Sequence, residues 1–361
     1  MAVATAAGGM NRLDRYIAST VLVGALMGLV VIVSLSFVFE FIDEADDIGR
    51  GDYDLAAAMA VVALSMVQRA YEAFPMATLI GALVSLGALA ARSELIVMRA
   101  VGRSVGQIAR AVVVAGIGLA VLAGLLGEFV APPANQLAQT IRAEAAGGRI
   151  GTVGGGLWAR DGDYRLRADR VVRADLLAGV RAYEIDGNQL MRIVTAPRAR
   201  FVNGQWQLRD ARVTALGDFP IRVETRERIT LGGQLRPATL EVVVQDAQAL
   251  PASELFRYIK YLQANELRSD QYQLALWVKL ATPLATVVML LLAVPLVFGS
   301  QRSTGVGQQV FLGVLIGLAF FLLNRFLGNA GLVYGLPPAA SALAPTGLFL
   351  LIALVALRRV R

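Results

Sequence analysis

The 361-residue chain contains no cysteine and no histidine. Disulfide staples, zinc sites built on thiolate or imidazole, histidine general bases and Ser-His-Asp triads are therefore excluded at the outset. Lysine is nearly absent too, occurring only at Lys260 and Lys279, and neither follows a glycine-rich loop. Without a GxxxxGK(S/T) phosphate cradle, the chain is not expected to hydrolyse ATP by itself. Charged residues of both signs make up only 17% of the sequence. What is abundant is apolar surface: hydrophobic residues reach 56% and the mean hydropathy is +0.60, too apolar for an ordinary soluble chain of this length. The net charge of +7 is almost wholly arginine and points to membrane-flanking loops and anionic lipid rather than nucleic acid.

A membrane span needs about 20 apolar residues, and Ala18 to Phe39 gives an uncharged run of that size. No small-residue cleavage site followed by soluble sequence makes it a signal peptide. The second run, Leu55 to Ala91, is longer than one span and is interrupted by Gln68, Arg69 and Glu72, with Pro75 just beyond; a kinked helix is expected. Ala111 to Val130 makes a third span, closed by Pro132-Pro133. Lys279 to Ser300, Val310 to Val333 and Leu336 to Leu357 make the remaining three. Arginines set the orientation: Arg12 and Arg15, then Arg92, Arg99, Arg103 and Arg110, then Arg302, then Arg358, Arg359 and Arg361 fall in alternate connections and belong on the cytoplasmic side with both termini. The opposite loops, including Asp43, Glu44, Asp46, Asp47, Asp52 and Asp54 against Arg50, face outward.

Between the two sets of three spans lies a polar stretch with period-two alternation. The organisation is thus 1–133, a first membrane half; 134–251, an outward all-β domain; and 252–361, an interfacial helix and second membrane half. Asn203-Gly204 and Asp186-Gly187 supply the positive φ of tight hairpin turns. Further strands are expected at Tyr164 to Ala168, Val180 to Ile185, Arg222 to Ile229 and Thr239 to Val244, spaced as in a jelly-roll-like sandwich. Gly147-Gly148 and Gly154-Gly155-Gly156 read as linkers. After Pro251, Ser253 is positioned to cap an amphipathic helix carrying Leu255, Ile259 and Leu262. The fold class is an α-helical polytopic membrane protein with six transmembrane helices and an inserted all-β domain.

Two constellations stand out. The cytoplasmic connection 92–102 predicts a short helix: Ser93 as N-cap, Leu95, Ile96 and Met98 as an apolar side, Glu94 near its start and Gly102 at its end. Such a helix suits docking into a partner's groove, and equally suits lying on the bilayer as a plain connector. The second constellation lies near the outer face: Glu40 and Asp43 at the close of span one, Arg69 and Glu72 in span two, Glu128 and Arg142 around the end of span three, and Arg325 in span five. Ionisable groups at membrane depth need a polar cavity or a partner. Arginine forks here would suit the phosphates of an amphiphilic lipid, and would equally pair with neighbouring carboxylates. The β-domain offers no catalytic constellation and no metal site.

At this point several segments match together. Asn11-Arg-Leu-Asp-Arg-Tyr-Ile17, Phe74-Pro-Met-Ala-Thr-Leu-Ile-Gly-Ala-Leu83, Arg92-Ser-Glu-Leu-Ile-Val-Met-Arg-Ala-Val-Gly102, Gly127-Glu-Phe-Val-Ala-Pro132, Tyr258-Ile-Lys-Tyr-Leu262, Tyr272-Gln-Leu-Ala-Leu-Trp-Val-Lys279 and Leu332-Val-Tyr-Gly-Leu-Pro-Pro338 resemble the lipopolysaccharide export permeases of the LptF/LptG family, most closely the LptG branch. The resemblance implies a non-catalytic ABC-transporter permease of the bacterial inner membrane, with a periplasmic β-domain. It implies an LptF-like sister subunit, two LptB-like ATPase subunits that bind ATP and Mg, an LptC-like membrane-anchored β-jelly-roll protein, and lipopolysaccharide as cargo. The chain itself needs no cofactor and no nucleic acid. Glu94 would lie on the coupling helix seated in the ATPase, flanked by Arg92, Ser93, Met98 and Gly102, and spans one and five would form lateral gates.

The chain departs from the family where span one ends. LptG proteins carry lysines there, whereas Glu40-Phe-Ile-Asp-Glu-Ala-Asp-Asp47 is acidic. Either divalent cations bridge these carboxylates to lipid, or Arg50, Arg69 and Arg142 take over the positive role. A mechanotransmission or signalling subunit driven by an ATPase without lipid passage is the competing class; an intramembrane hydrolase finds no polar dyad to support it.

Overall fold

The computed structural model describes residues 11–49, 53–145, 157–161, 164–173, 175–186, 189–202, 204–216, 222–231, 247–299 and 306–360. Arg50, Arg302, Arg361, Asn203, Gly187, the glycine linkers and the strand expected at 239–244 lie outside them. Among the described residues six helices are long and apolar enough to cross a membrane, so the chain is a multi-pass membrane protein. By contacts it divides into a unit of residues 1–43, 62–135 and 273–361, and a second of 44–61 and 136–272.

In the first unit, α1 (Arg12–Ala45) and α2 (Leu55–Ala91) run through the first two apolar stretches. They are joined to α4 (Val105–Leu125) by the seven-residue α3 (Glu94–Ala100). Pro75 sits inside α2, where Thr78 donates its hydroxyl to the Pro75 carbonyl at 2.8 Å. The helix after α4 corrects the reading of Pro132-Pro133 as a stop. The chain passes through a π-helical turn, Leu126–Val130, and continues as α5 (Ala131–Ala145). A wide turn placed just ahead of the two prolines absorbs the backbone bonds they cannot make, so the helix is re-started rather than ended.

Later in the chain, α6 (Ala252–Ala264) precedes three spans, α7 (Asp270–Gly299), α8 (Val306–Tyr334) and α9 (Pro338–Arg359). The cap of α6 is Pro251 rather than Ser253, and it makes no side-chain cap bond. Proline there presets the extended entry without needing a donor.

The core of the first unit is built by α2, α4 and α7, whose Leu79, Leu83, Leu86, Val112, Leu119, Met289 and Leu290 are buried. By contrast the apolar residues that α1 buries, Ile17, Ala18, Val21 and Ala25, all lie in its first half. Val30, Val31, Leu35, Val38, Phe39 and Ile42 beyond them are each more than half exposed. The two parts meet at a close crossing: a Cβ added to Gly81 of α2 would stand 2.2 Å from the Gly24 carbonyl, and one added to Gly24 would stand 2.6 Å from the Gly81 carbonyl. In lipid, where apolar side chains gain nothing by leaving the tails, such backbone contact is what holds two helices together.

The second unit contains a six-stranded antiparallel sheet with strands in chain order: β1 (Leu157–Asp161), β2 (Tyr164–Arg173), β3 (Leu176–Asp186), β4 (Gln189–Val202), β5 (Gln205–Ala215) and β6 (Arg222–Leu231). Among the described residues the insertion opens with the end of α5 and closes with a short 3-10 turn at Ala247–Ala249; between them the structure is β, as expected, but its connectivity is a meander. Among the described residues no strand crosses over as in a jelly roll, because short hairpins pair each strand with its sequence neighbour; Gly204, at φ +83°, turns β4 into β5. Tight packing comes from a change of phase. Leu177 and Val180, Ala196 and Ala199, and Leu208 and Ala211 are buried three residues apart instead of two, at the same level of three adjacent strands. Gly179 and Asp210 carry the positive φ that this phase change needs. One face of the sheet thereby keeps a single core around Trp206, with Tyr261 of α6 packed against it.

Candidate functional site

The first site begins with α3. Ser93 stands at its N-cap position but in the left-handed region, φ 59°, with no side-chain cap bond; its backbone carbonyl instead accepts from Ile96 and Val97. The helix is closed by a paired backbone motif: Gly102, at φ +92°, donates its N–H to Arg99 O at 3.0 Å, and Arg103 donates to Met98 O at 3.1 Å. A capping box then opens α4, with Ser104 and Gln107 exchanging backbone-to-side-chain bonds.

The apolar side expected for α3 is divided in two. Leu95 and Met98 turn into the unit's own core, so Met98 seats the helix. Ile96, Val97 and Val101 are 56%, 60% and 69% exposed and form the outward face. Arg92 and Ser93 are exposed beside them, and Glu94 is partly covered. Its cover comes from α1: the Tyr16 hydroxyl donates to Glu94 Oε2 at 2.8 Å. A second contact joins the same segments, Arg103 Nη1 to Asp14 Oδ1 at 3.0 Å. Water competes for both partners of the Tyr16–Glu94 bond, so it is weaker than the same bond would be in a sheltered site. Tyr16 and Asp14 were not singled out by the sequence pattern, since a tyrosine and an aspartate before a span carry no spacing signal.

The outer constellation is resolved into ion pairs. In the first unit Arg69 donates through Nε and Nη2 to Glu40 Oε2 at 3.1 and 2.9 Å, with Glu72 at 3.6 Å. Arg325 of α8 and Asp43 of α1 are exposed. In the second unit Glu44 is the buried acid: Arg142 Nε donates to its Oε1 at 3.1 Å, Arg142 Nη2 to its Oε2, and the Tyr53 hydroxyl also to Oε1. Burial, and next the Glu44 carboxylate beside it, push the Tyr53 hydroxyl up to about 12. So two acids of the unusual stretch after Phe39 are each held by an arginine of the chain itself. Among the described residues no group of three or more acids could hold a metal ion.

A third charged cluster lies between helices of the first unit. Lys279, whose side chain is 9% exposed, donates from Nζ to Gly127 O at 2.7 Å and stands 3.5 Å from Glu128 Oε2. Two irregularities make this geometry. The π-turn presents the Gly127 carbonyl to a side chain, and Pro283 leaves the Lys279 carbonyl without its helical donor, which the Tyr71 hydroxyl approaches at 3.4 Å. Tyr71 in turn requires Gly127, where a Cβ would come within 2.4 Å of its ring. A lone lysine in an apolar run was the available signal for this pair.

The wider comparisons agree with this layout. The model of the family described as lipopolysaccharide export system permease LptF/LptG matches residues 15–359. The chain is 37% identical over 353 residues to lipopolysaccharide export system permease protein LptG of Escherichia coli strain K12, covering 96% of this chain and 98% of that one. It is 32% identical over 345 residues to LptG of Haemophilus influenzae, covering 94% and 96%. Matched from the second residue before Ile17 to its final helix, with six spans and an inserted β-sheet in their expected places, the chain belongs to the lipopolysaccharide export permease LptF/LptG family.

Proposed function

We propose that this chain is the LptG-type permease subunit of an ABC transporter that extracts lipopolysaccharide from the bacterial inner membrane and hands it to a periplasmic bridge. It is a transport subunit, not an enzyme; ATP and Mg belong to two LptB-like ATPase subunits, and an LptF-like sister and an LptC-like anchored protein complete the assembly. The observation that carries the reading is α3: Ile96, Val97 and Val101 form an exposed apolar face next to a carboxylate, on a helix firmly seated by Leu95 and Met98. A rigid, short, half-apolar helix at one end of a chain without a phosphate loop suits the groove of a separate motor. In this reading α3, with Glu94, Arg92, Ser93 and Gly102, is cytoplasmic and the β-unit periplasmic. Arg69, Arg142 and Arg325, with Glu40 and Asp43, line the lipid path, and lipid phosphate competes with Glu40 and Glu44 for the first two arginines.

Replacing Glu94 with Ala in the complex with its sister and ATPase should abolish lipid release and weaken ATPase capture. Normal assembly together with normal release would overturn the reading of α3.

A further inference from the structure

We propose that Tyr16 and Asp14 make α1 a lever driven by α3, with its fulcrum at Gly24 and Gly81; the inference rests on the reading above that α3 receives the motor. Three observations on different residues carry it. The contacts Tyr16 hydroxyl to Glu94 at 2.8 Å and Arg103 to Asp14 at 3.0 Å fasten the start of α1 to the two ends of α3, one in its first turn and one just after its last. A displacement of α3 therefore acts on α1 at two points and cannot be absorbed by rotation about one.

The second observation is the crossing. Gly24, Gly28 and Gly81 bring the α1 and α2 backbones so close that a Cβ at Gly28 would meet the Ala77 carbonyl at 2.8 Å, in addition to the Gly24–Gly81 contact. The contact is largely backbone against backbone, with the small Ser85 side chain of α2 beside Gly24, so the helices can rotate about it while translation is resisted. The third observation is the state of the arm beyond. Outward of Gly28, α1 exposes Val30, Val31, Leu35, Val38, Phe39 and Ile42; beyond Leu29 little of it is held by the unit's own core, and its outer end is tied to α2 by the Glu40–Arg69 pair, which has to part when the arm moves. About 12 Å of helix separates Tyr16 from Gly24, and about 24 Å separates Gly24 from Glu40, at 1.5 Å per residue. The outer end moves roughly twice as far as the fastened end if the helix stays rigid.

Tyr16 is thus a positioning residue: it passes the movement of Glu94 on to α1. Exposure of the bond to water suits this role, because a contact that must be remade in each cycle cannot be strong.

The test uses the full complex in vesicles, measuring ATP hydrolysed per lipid released to a soluble acceptor. Tyr16→Phe and Asp14→Arg should each raise that ratio roughly two- to thirty-fold in complexes that retain the ATPase, the span of coupling effects such contacts carry. Combining Asp14→Arg with Arg103→Asp should restore it, which a loss of folding would not permit. An unchanged ratio in both single variants, failure of the exchange to restore it, or loss of ATPase capture in Tyr16→Phe would each overturn the lever. Its failure is separable from that of the function: if Glu94→Ala loses the ATPase while Tyr16→Phe keeps the wild-type ratio, the lever alone falls.

Discussion

Glu44 shows how a single residue changes the meaning of a stretch of sequence. In an acidic run it looks like a solvated charge, but it is 6% exposed and accepts from Arg142 and Tyr53. Burying a carboxylate costs several kcal/mol unless it is paired and hydrogen-bonded, and here both conditions are met. The tyrosine carries a testable consequence. Its hydroxyl titrates near 10 in an unfolded chain and is raised to about 12 in the folded one, so folding favours the protonated form. The stabilisation is complete below pH 10 and is lost as pH climbs through 12. Unfolding followed in detergent across pH 9 to 12 should show a drop in stability over that window, and Tyr53→Phe should flatten it. A drop of equal size in the phenylalanine variant would exclude Tyr53 as its source.

At the scale of elements, the β-sheet carries an electrostatic cost on its exposed face. Arg198, Arg209 and Arg228 are register partners on β4, β5 and β6, all exposed, and no acidic partner for any of them is seen among the described residues. Like charges directly opposite on neighbouring strands are destabilising. Arg209→Thr, which removes the middle charge and keeps a strand-forming side chain, should raise stability by about 0.5 kcal/mol at low salt. The gain should shrink as ionic strength rises past 0.15 M, and a gain independent of salt would point to a cause other than charge. Elements were also where the sequence was most legible. The alternation around Asn203-Gly204 located β4 and β5, and apolar run length located all six spans. Pro132-Pro133 misled because proline stops a helix only when nothing upstream relieves it, and a π-turn has no signature in composition. The pairing of Glu94 with Tyr16 spans 78 positions and rests on how α1 packs, which no local pattern encodes.

For the whole molecule, the uneven burial of the spans is the informative property. Of their most apolar stretches, those of α2 and α7 are 67% buried within the chain, whereas those of α1 and α8 are 11% and 17% buried. A bilayer tolerates bare apolar helices, so α1 and α8 are stable as they stand and remain available to lipid and to another subunit. Photocrosslinking groups at Leu35 or Phe326, both exposed, should capture lipopolysaccharide or the sister permease in the assembled complex, while groups at buried Leu86 or Met289 should capture neither. Equal capture from all four positions would contradict the assignment of α1 and α8 as the open sides. Family membership was legible from the scattered motifs because they cover the chain from end to end; the ion pairs that occupy Arg69 and Arg142 were not, since acids and bases far apart in sequence can combine in many ways.

The phase change shared by β3, β4 and β5 also constrains how such a protein can vary in length. Because each strand swaps its inward and outward residues at one common level, adding or deleting a residue within a strand would turn half of that strand inside out, exposing Leu208 or burying Arg209. The same change at a hairpin tip shifts nothing beyond the loop. Insertions and deletions among natural variants of this unit are therefore expected to collect at the hairpin ends and to spare the positions of Gly179 and Asp210.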